Sequence, residues 1–227
     1  MTIRAVVIGA GHYLPKRVVE NAEFEGKIDT DDEWIRSRSG IERRHFVSEG
    51  ETTSTMATAA ALAALKDAGK TAADVDAIIL ATSTADLTFP SAATMVQAQL
   101  GMERGFAFDI QAVCAGFIFA LANANALIAS GQVKRVLIIG AETFSKIIDW
   151  TDRTTSVLFG DGAGALLLEA QEGDGTSKDR GILSTDLNSD GRLHDLLFAD
   201  GGVSTGTTGY VRMQGNQVFR HAVEKLA

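Results

Sequence analysis

The sequence predicts an α/β fold in which helices cover both faces of a mainly parallel sheet. Short apolar runs typical of buried strands alternate along the chain with longer helix-like segments. These runs are apolar throughout, as expected of strands covered on both faces. The composition, 45% hydrophobic and 22% charged over 227 residues, is that of a globular protein and excludes a disordered or fibrous chain.

Six segments are predicted to be strands because β-branched and other apolar side chains fill them. The first five are residues 5–9, 76–83, 106–110, 135–141 and 164–170. A polar, glycine-bearing segment follows, and after it a sixth strand is predicted over residues 181–187.

Helices are predicted where a capping residue precedes a longer run of helix-forming residues, often with a glycine after it. They cover residues 29–37, 53–68, 90–100, 115–130 and 215–226. The helix from residue 115 is apolar nearly all round, so we expect it to be central rather than on the surface.

The polar segment at residues 171–180 separates a first layered part of the chain from the start of a further strand–helix unit. Residues 1–172 form a first half that contains the single cysteine, and residues 173–227 begin a second half. Because the chain stops inside its last predicted helix, the spacing suggests that the sequence is incomplete at its C-terminal end.

Charge and cysteine content limit the possible functions. With 21 Lys+Arg against 29 Asp+Glu, the net charge of −8 argues against a nucleic-acid-binding protein. One cysteine excludes an internal disulfide and a thiolate metal cluster, and no spacing typical of metal ligands is visible. The chain shows neither a secretory signal nor a membrane-like apolar span, so we expect a soluble cytoplasmic protein.

Two glycine-rich segments invite a nucleotide-binding interpretation that their context does not support. Gly9 and Gly11 follow a strand, but Leu14 stands where a dinucleotide fingerprint has its third glycine, so we expect only a tight turn. Residues 160–164 lack the Gly-Lys-Ser/Thr ending of a phosphate loop, and their glycines are expected to let backbone segments approach closely.

Cys114 is the most informative residue. A lone cysteine is usually a small buried apolar residue. Cys114, however, lies where a strand turns into a helix, so backbone N–H groups and the helix dipole favour its thiolate. The small Ala115 and Gly116 after it suit a sharp nucleophile-bearing turn. A catalytic role also needs a positioned base, so the pattern alone leaves both interpretations open.

Six segments carry a family resemblance in the same order along essentially the whole chain. They are AVVIGAGHYLPKRVVEN, DTDDEWIRSRSGIERRH, FPSAATMVQAQLG, FDIQAVCAGFIFAL, DWTDRTTSVLFGDGAGALLL and MQGNQVFRHAV. The chain resembles the β-ketoacyl-acyl carrier protein synthases III, the condensing enzymes that start bacterial fatty acid synthesis. The resemblance implies a thiolase-like layered αβαβα fold with mixed sheets, of which this chain holds the first half and the start of the second.

The resemblance also implies residue roles. Cys114 matches the acyl-accepting cysteine, and Trp34 matches a residue that stacks on the adenine of coenzyme A. Arg38 and Arg153 match charged residues of the same site, and Thr30 matches a hydrogen-bonding position there. An indole can stack on an adenine base, and guanidinium groups can bind its phosphates. Without the resemblance, Trp34 and Arg38 would indicate only a surface helix with solvated charges.

Further matches concern the acyl pocket and its approach. Phe89 matches a residue that reaches across a dimer interface to shape the pocket. The other matched positions are Val157, Leu158 and Phe159 at the pocket wall, Gly215 and Phe219 at the pantetheine tunnel, and Arg220 near a carrier-protein docking surface. From the residues alone, each of the wall and tunnel positions could equally be ordinary core.

The implied partners are acyl-CoA and malonyl-acyl carrier protein, with the coenzyme A thioester as substrate, no separate cofactor, and a homodimeric assembly. The family's catalytic histidine and asparagine would lie beyond Ala227, and none of the four histidines stands in a matching context. We therefore expect residues 1–227 alone to be unable to condense. Three alternatives are a polyketide or quinolone synthase of the same fold, an inert fragment that pairs with another chain, and an unrelated cysteine hydrolase.

Overall fold

The computed structural model describes residues 2–226. The strands of this part of the chain are β1 (Thr2–Tyr13), β2 (Arg17–Glu20), β3 (Arg43–Phe46), β4 (Ala77–Ala81), β5 (Phe106–Ile110), β6 (Arg135–Thr143), β7 (Asp161–Gly173), β8 (Leu197–Ala199) and β9 (Val211–Met213). Its helices are α1 (Asp32–Ser39), α2 (Thr53–Asp67), α3 (Ala92–Gln99), α4 (Gly116–Ala129), α5 (Arg153–Ser156) and α6 (Gly215–Leu226).

The residues form two compact units, each made of separate stretches of chain. The first unit comprises residues 1–15, 47–142 and 162–187, and the second comprises residues 16–46, 143–161 and 188–227. No helix of the described chain is long and apolar enough to cross a bilayer.

The first unit is built on a five-stranded sheet with the order β1-β7-β6-β4-β5. Strand β4 is parallel to both β5 and β6, whereas β1 is antiparallel to β7. The sheet is therefore mixed, as the resemblance implied, and the expectation of a mainly parallel sheet missed the long antiparallel pair. The parallel and antiparallel parts of the sheet also differ in burial. Strand β4 is buried at every position, whereas β7 alternates between buried and partly exposed residues.

Strand β1 is longer than predicted and continues through Gly9 and Gly11, with a shift in its register against β7 between Val7 and Gly9. These glycines make no turn, which corrects the sequence-based interpretation. A Cβ at Gly9 would lie 2.4 Å from the carbonyl oxygen of Ala64, and one at Gly11 would lie 2.3 Å from the Ala64 nitrogen. The two glycines therefore allow the backbone of α2 to pack directly on the strand.

Helices cover both faces of this sheet and bury two apolar clusters. Alternate side chains of β4 divide between the clusters: Ile78 and Leu80 pack towards α2 and α3, and Ile79 packs towards α4. The result is a helix–sheet–helix arrangement, which agrees with the predicted α/β class.

Helix α4 differs from the expectation of a fully buried helix. Its buried residues, Gly116, Ala120, Ala124 and Ile128, follow each other at four-residue spacing and form one face. On another side of the helix, Ile118 is 48% exposed. The helix covers the sheet with one stripe, and the described chain packs nothing over the opposite stripe.

The strand predicted over residues 181–187 is wrong. This segment is irregular, and Gly181 adopts φ +110, a conformation foreign to strands of L-residues. The amide of Ile182 still donates to the Ala5 carbonyl at 3.0 Å, but Leu183 and Leu187 are exposed. The segment therefore lacks the burial that its apolar residues suggested.

The predicted helix ends agree closely with the structure because they depend on local chemistry. Thr52 closes a capping box at the start of α2, and Ser91 accepts from the Thr94 amide at the start of α3. Gly69 and Gly101, which follow these helices, have φ values of +63 and +68.

The second unit contains α1, α5, α6 and two antiparallel strand pairs, β2–β3 and β8–β9. One apolar cluster packs β2, β3 and α1 of this unit together, and Trp34 is partly buried against that cluster. The buried members are Val19, Phe24, Ile35, Phe46 and Val157.

Candidate active site

Cys114 occupies a tight turn that joins strand β5 to helix α4. The strand ends at Ile110, a single 3-10 turn covers Val113–Ala115, and α4 begins at Gly116. The cysteine is reduced and exposed. Its side chain thus lies at a strand-to-helix corner with access to solvent, which is the position that the sequence pattern predicted.

The backbone of this turn is strained at Val113. Among the described residues, Val113 is the only one other than glycine with a positive φ, at +46. The left-handed region is unfavourable for a β-branched residue, and such strain occurs most often at functional sites. Here it produces the sharp bend that directs the next residue, Cys114, out of the sheet edge, as in a nucleophile elbow.

The amides of the turn differ in what they can offer a ligand. The N–H of Ala115 donates to the Ala112 carbonyl, and the N–H of Gly116 donates to the Val113 carbonyl. The N–H of Cys114 itself makes no hydrogen bond within residues 2–226. This donor is therefore available to an oxyanion that forms beside the sulfur.

The loop between β4 and α3, residues 82–91, is held by carboxylates at both of its ends. Glu142, at the end of β6, accepts from the Ser83 amide at 2.8 Å and from the Thr84 hydroxyl. Asp109, on β5, accepts from the amides of Ala92 and Ala93 at 2.8 and 2.7 Å, at the start of α3. Burial raises the pKa of the Glu142 carboxyl, while the hydrogen bonds from Thr84 and Ser83 oppose that rise.

Hydrogen bonds to Asp86 fix the middle of the same loop as well. Asp86 accepts from the Ser54 amide at 2.8 Å and from the Ser54 hydroxyl at 2.7 Å. Between these fixed points the loop presents two apolar side chains to solvent, Leu87 at 53% exposure and Phe89 at 82%. A firmly held loop with exposed apolar residues is suited to contact another surface.

A second candidate site surrounds Trp34 in the second unit. Asp31 caps α1 by accepting from the Trp34 amide at 2.6 Å, so the indole is fixed in the first turn of the helix. The guanidinium carbon of Arg38 lies 4.6 Å from the indole centroid, and that of Arg153 lies 4.9 Å from it. The structure thus brings together three of the residues predicted to bind the nucleotide.

Thr30, the fourth residue predicted for the nucleotide site, carries a polar atom without a partner. Its amide donates to the Ile28 carbonyl at 2.8 Å, but its hydroxyl is buried and makes no hydrogen bond with the described residues. A buried hydroxyl without a partner is unfavourable, and such groups often mark a place that a ligand or water satisfies.

The three residues predicted for the pocket wall, Val157, Leu158 and Phe159, lie in the second unit and differ in how deeply they are buried. Val157 is buried in the apolar cluster, and its carbonyl accepts from Arg44 at 2.9 Å. Leu158 is 37% exposed, and the ring of Phe159 lies 4.6 Å from that of Phe144.

Gly215 is the first residue of α6, on which Phe219 is 71% exposed. Arg220 is exposed on the same helix. Their predicted roles at the tunnel and docking surface remain predictions.

Sequence reasoning missed three residues that shape these sites: Asp29, Val113 and Glu142. A glutamate directly after an apolar strand was a usable signal for Glu142. Asp29 was assigned to a helix cap, although the helix begins three residues later. Nothing in the residue type signalled Val113, because valine disfavours the conformation that it adopts. No group of three or more metal-ligating side chains was found among residues 2–226.

Known proteins are similar to this chain over its whole length. The family model of 3-oxoacyl-[acyl-carrier-protein (ACP)] synthase III matches residues 108–191. A β-ketoacyl-[acyl-carrier-protein] synthase III from Ruegeria sp. (strain TM1040) is 82% identical over 227 residues, which are 100% of this chain and 70% of the relative. The corresponding protein of Roseobacter denitrificans is 79% identical with the same coverage.

Solved structures show the same similarity. The crystal structure of 3-oxoacyl-[acyl-carrier-protein] synthase III from Aquifex aeolicus VF5 matches with a TM-score of 0.88 at 47% identity, covering 97% of this chain and 68% of that one. The priming β-ketosynthase of the R1128 polyketide pathway matches with a TM-score of 0.87 at 30% identity, covering 99% of this chain and 67% of that one. The thiolase-like fold implied by the resemblance is therefore confirmed.

Proposed function

The chain belongs to the 3-oxoacyl-[acyl-carrier-protein] synthase III family, and from this premise we propose that Cys114 accepts a short acyl group from coenzyme A. Malonyl-acyl carrier protein then loses carbon dioxide, and its carbanion attacks the acyl-cysteine to give 3-oxoacyl-acyl carrier protein. This condensation initiates fatty acid biosynthesis. The observation that carries the proposal is the exposed cysteine in a strained turn at the start of α4.

The exposed position of Cys114 in the turn supports the proposed first half of the reaction. The Cys114 thiolate attacks the carbonyl carbon of the acyl-CoA thioester, and a new carbon–sulfur bond forms. The carbon–sulfur bond to coenzyme A then breaks, and coenzyme A leaves as a thiol after taking up a proton. The N–H of Cys114, which has no acceptor among the described residues, supports the oxyanion of the tetrahedral intermediate.

The nucleotide end of coenzyme A is proposed to bind around Trp34. The indole stacks on adenine, Arg38 and Arg153 supply positive charge for the phosphates, and the Thr30 hydroxyl makes a hydrogen bond. The buried hydroxyl of Thr30, which lacks a partner, supports this assignment. Further along, we propose that pantetheine passes Gly215 and Phe219 and that Val157, Leu158 and Phe159 form the wall of the acyl pocket. Phe89 is proposed to reach across a dimer interface and shape the pocket of the second copy.

A homodimer is proposed on two features of the first unit. Strand β5 is the last strand at one edge of the sheet, so one side of its backbone lacks a strand partner within residues 2–226. Phe106 on that strand is 42% exposed, and Phe89 is 82% exposed. A second copy that pairs with this edge would cover these apolar groups.

A fatty-acid role is favoured over a polyketide role by the degree of similarity. Two relatives named β-ketoacyl-[acyl-carrier-protein] synthase III are 82% and 79% identical to this chain, whereas the polyketide priming enzyme is 30% identical. The preference among short acyl groups depends on the residues of the pocket wall, because one methylene group in an apolar pocket changes the binding free energy by about 1–3 kcal/mol.

Several finer points belong to the same proposal. We propose that the coenzyme A thioester serves as substrate without a separate cofactor, and that the reaction takes place in the cytoplasm. Residues 1–172 and 173–227 are proposed to belong to the two halves of the fold. We also propose that residues 1–227 alone form the acyl-enzyme but do not condense, because the resemblance assigns condensation to a histidine and an asparagine outside these residues.

Intact-protein mass spectrometry after incubation with acetyl-CoA tests the proposal. We expect the mass to rise by one acetyl group, with the adduct on Cys114, the chain's single cysteine. The variant Cys114→Ser should gain no thioester-linked adduct that hydroxylamine releases. An adduct that persists in this variant, or no adduct on the unmodified chain, would contradict the proposal. Adding malonyl-acyl carrier protein afterwards separates acylation from condensation, and release of the acetyl group as a 3-oxoacyl product would refute the incompetence of residues 1–227.

A further inference from the structure

Arg153 is held against Trp34 by a residue that the proposed function does not use. The Nη1 atom of Arg153 donates to the carboxylate of Asp29 at 2.8 Å and to the Asp29 backbone carbonyl at 2.6 Å. The same guanidinium lies 4.9 Å from the centre of the Trp34 indole. Asp29 therefore holds the arginine on the ring that is proposed to stack on adenine.

This arrangement leaves no room for a planar base between the two side chains. Stacked groups are separated by about 3.5 Å, so a base sandwiched between Trp34 and Arg153 requires about 7 Å between indole and guanidinium, roughly 2 Å more than the observed 4.9 Å. Arg38 lies 4.6 Å from the centre of the same ring. A base that stacks between Trp34 and Arg153 must therefore displace the Arg153 guanidinium.

The hydroxyl of Thr30 is a second observation at the same site. It is shielded from solvent and has no hydrogen-bond partner among the described residues. Because Thr30 directly follows Asp29 in the chain, a change in the Asp29–Arg153 pair acts on the segment that carries this hydroxyl. The site around Trp34 thus holds two guanidinium groups against the indole and one polar group that is unsatisfied.

We propose that Asp29 is a latch residue that holds Arg153 over Trp34 and thereby competes with the adenine group of coenzyme A. The inference rests on the proposed function, since it takes Trp34 as the residue that stacks on adenine. When coenzyme A binds, Arg153 leaves the carboxylate of Asp29, and its charge becomes available to the phosphates or the outer face of the base. Asp29 sets the affinity for the nucleotide without contacting it.

The latch is expected to be weak. The Asp29 side chain is 97% exposed and that of Arg153 is 40% exposed, and exposed ion pairs contribute little. The backbone carbonyl of Asp29 also keeps its bond to Arg153 when the side chain is changed. Removing the carboxylate should therefore tighten coenzyme A binding by about threefold to fivefold.

Calorimetric titration of the protein with coenzyme A tests this inference through Asp29→Asn, which removes the charge and keeps the side-chain size. We expect Kd to fall by about threefold to fivefold. The matched control is Glu33→Gln, an exposed carboxylate in the first turn of α1 with no ion pair to Arg153. Glu33→Gln should change Kd by less than about twofold. This control distinguishes an effect of the Asp29–Arg153 pair from the effect of removing any negative charge near the site.

A second measurement locates the effect at the nucleotide. The rate of Cys114 acylation at low substrate concentration should rise in Asp29→Asn with acetyl-CoA but not with acetyl-pantetheine, which lacks the nucleotide. An equal rise with both substrates would overturn the latch, because the effect would then not lie at the adenine end.

The remaining outcomes distinguish failure of the latch from failure of the nucleotide site. Unchanged or weaker binding in Asp29→Asn, or equal tightening in Glu33→Gln, overturns the latch alone, provided that Trp34→Ala still weakens binding. If Trp34→Ala binds coenzyme A as well as the unmodified protein does, the nucleotide site is wrong and the latch is wrong with it.

Discussion

Val113 combines an unfavourable backbone with a position directly before the proposed nucleophile. Its φ of +46 lies in the left-handed region, and its side chain is 52% exposed, so packing of the side chain does not explain the conformation. The turn instead follows from how β5 and α4 are fixed on the sheet, because both ends of residues 111–115 are attached to packed elements. The strain is a property of the corner that Cys114 occupies.

Replacing Val113 with asparagine should stabilise the protein. Asparagine tolerates the left-handed region, so Val113→Asn is expected to raise the free energy of unfolding by about 1 kcal/mol, measured by urea denaturation. Val203→Asn is the control, because Val203 is 81% exposed and is not among the residues with positive φ. It should change the free energy of unfolding by less than about 0.5 kcal/mol. Equal effects in both variants would show that the turn stores no strain.

Strand β1 and helix α2 pack backbone against backbone in the first unit. Gly9 and Gly11 lie on the strand where α2 crosses, and Ala60 and Ala64 of the helix face them. Small residues on both elements let the two backbones approach, so the helix position depends on the absence of a Cβ at these two glycines. This contact helps to set how α2 lies on the sheet.

Adding one methyl group to this contact should be costly. In Gly11→Ala the new Cβ would lie 2.3 Å from a backbone nitrogen of α2, so the free energy of unfolding should fall by about 3 kcal/mol, measured by urea denaturation. Gly164→Ala is the matched control, since Gly164 lies opposite His12 on the paired strand and a Cβ there meets nothing within 4 Å. It should be neutral or stabilise by up to about 1 kcal/mol. A similar loss in both variants would refute the proposed packing.

At the scale of the whole molecule, the described chain leaves apolar surface uncovered in the first unit. Strand β5 ends the sheet, and the nearby sequence supplies exposed Leu87, Phe89 and Phe106. Carboxylates hold the loop that carries Leu87 and Phe89 at its start and end, so its exposed side chains are pre-positioned. A pre-positioned apolar loop loses little entropy on association.

A charge at the tip of this loop should weaken self-association. Analytical ultracentrifugation of the protein is expected to show a dimer, and Phe89→Asp should raise the dimer dissociation constant by about tenfold or more, since a central aromatic anchor is replaced by a charge. Val203→Asp places the same charge at another highly exposed apolar residue and should leave the dissociation constant within about twofold. A monomeric unmodified protein would contradict the proposed homodimer.

The sequence by itself determined those features that neighbouring residues decide. Thr52 and Ser91 mark the starts of α2 and α3, and glycines at 69 and 101 mark where they end. Cys114 was correctly placed at a strand-to-helix corner from the residues on either side of it. These signals work because capping, positive φ and strand burial are governed by chemistry within a few residues.

Only the tertiary structure decided what depends on residues far apart in the chain. Asp29 meets Arg153 across 124 positions, and β1 pairs with β7 across the whole first unit. Gly9 and Gly11 resemble a turn in sequence, but α2 packs directly on them, and residues 181–187 stay irregular because their apolar side chains find little burial. The physical reason is that local patterns report which face a residue prefers, whereas the identity of the neighbour, and any strain it imposes as at Val113, is set by packing of the whole unit.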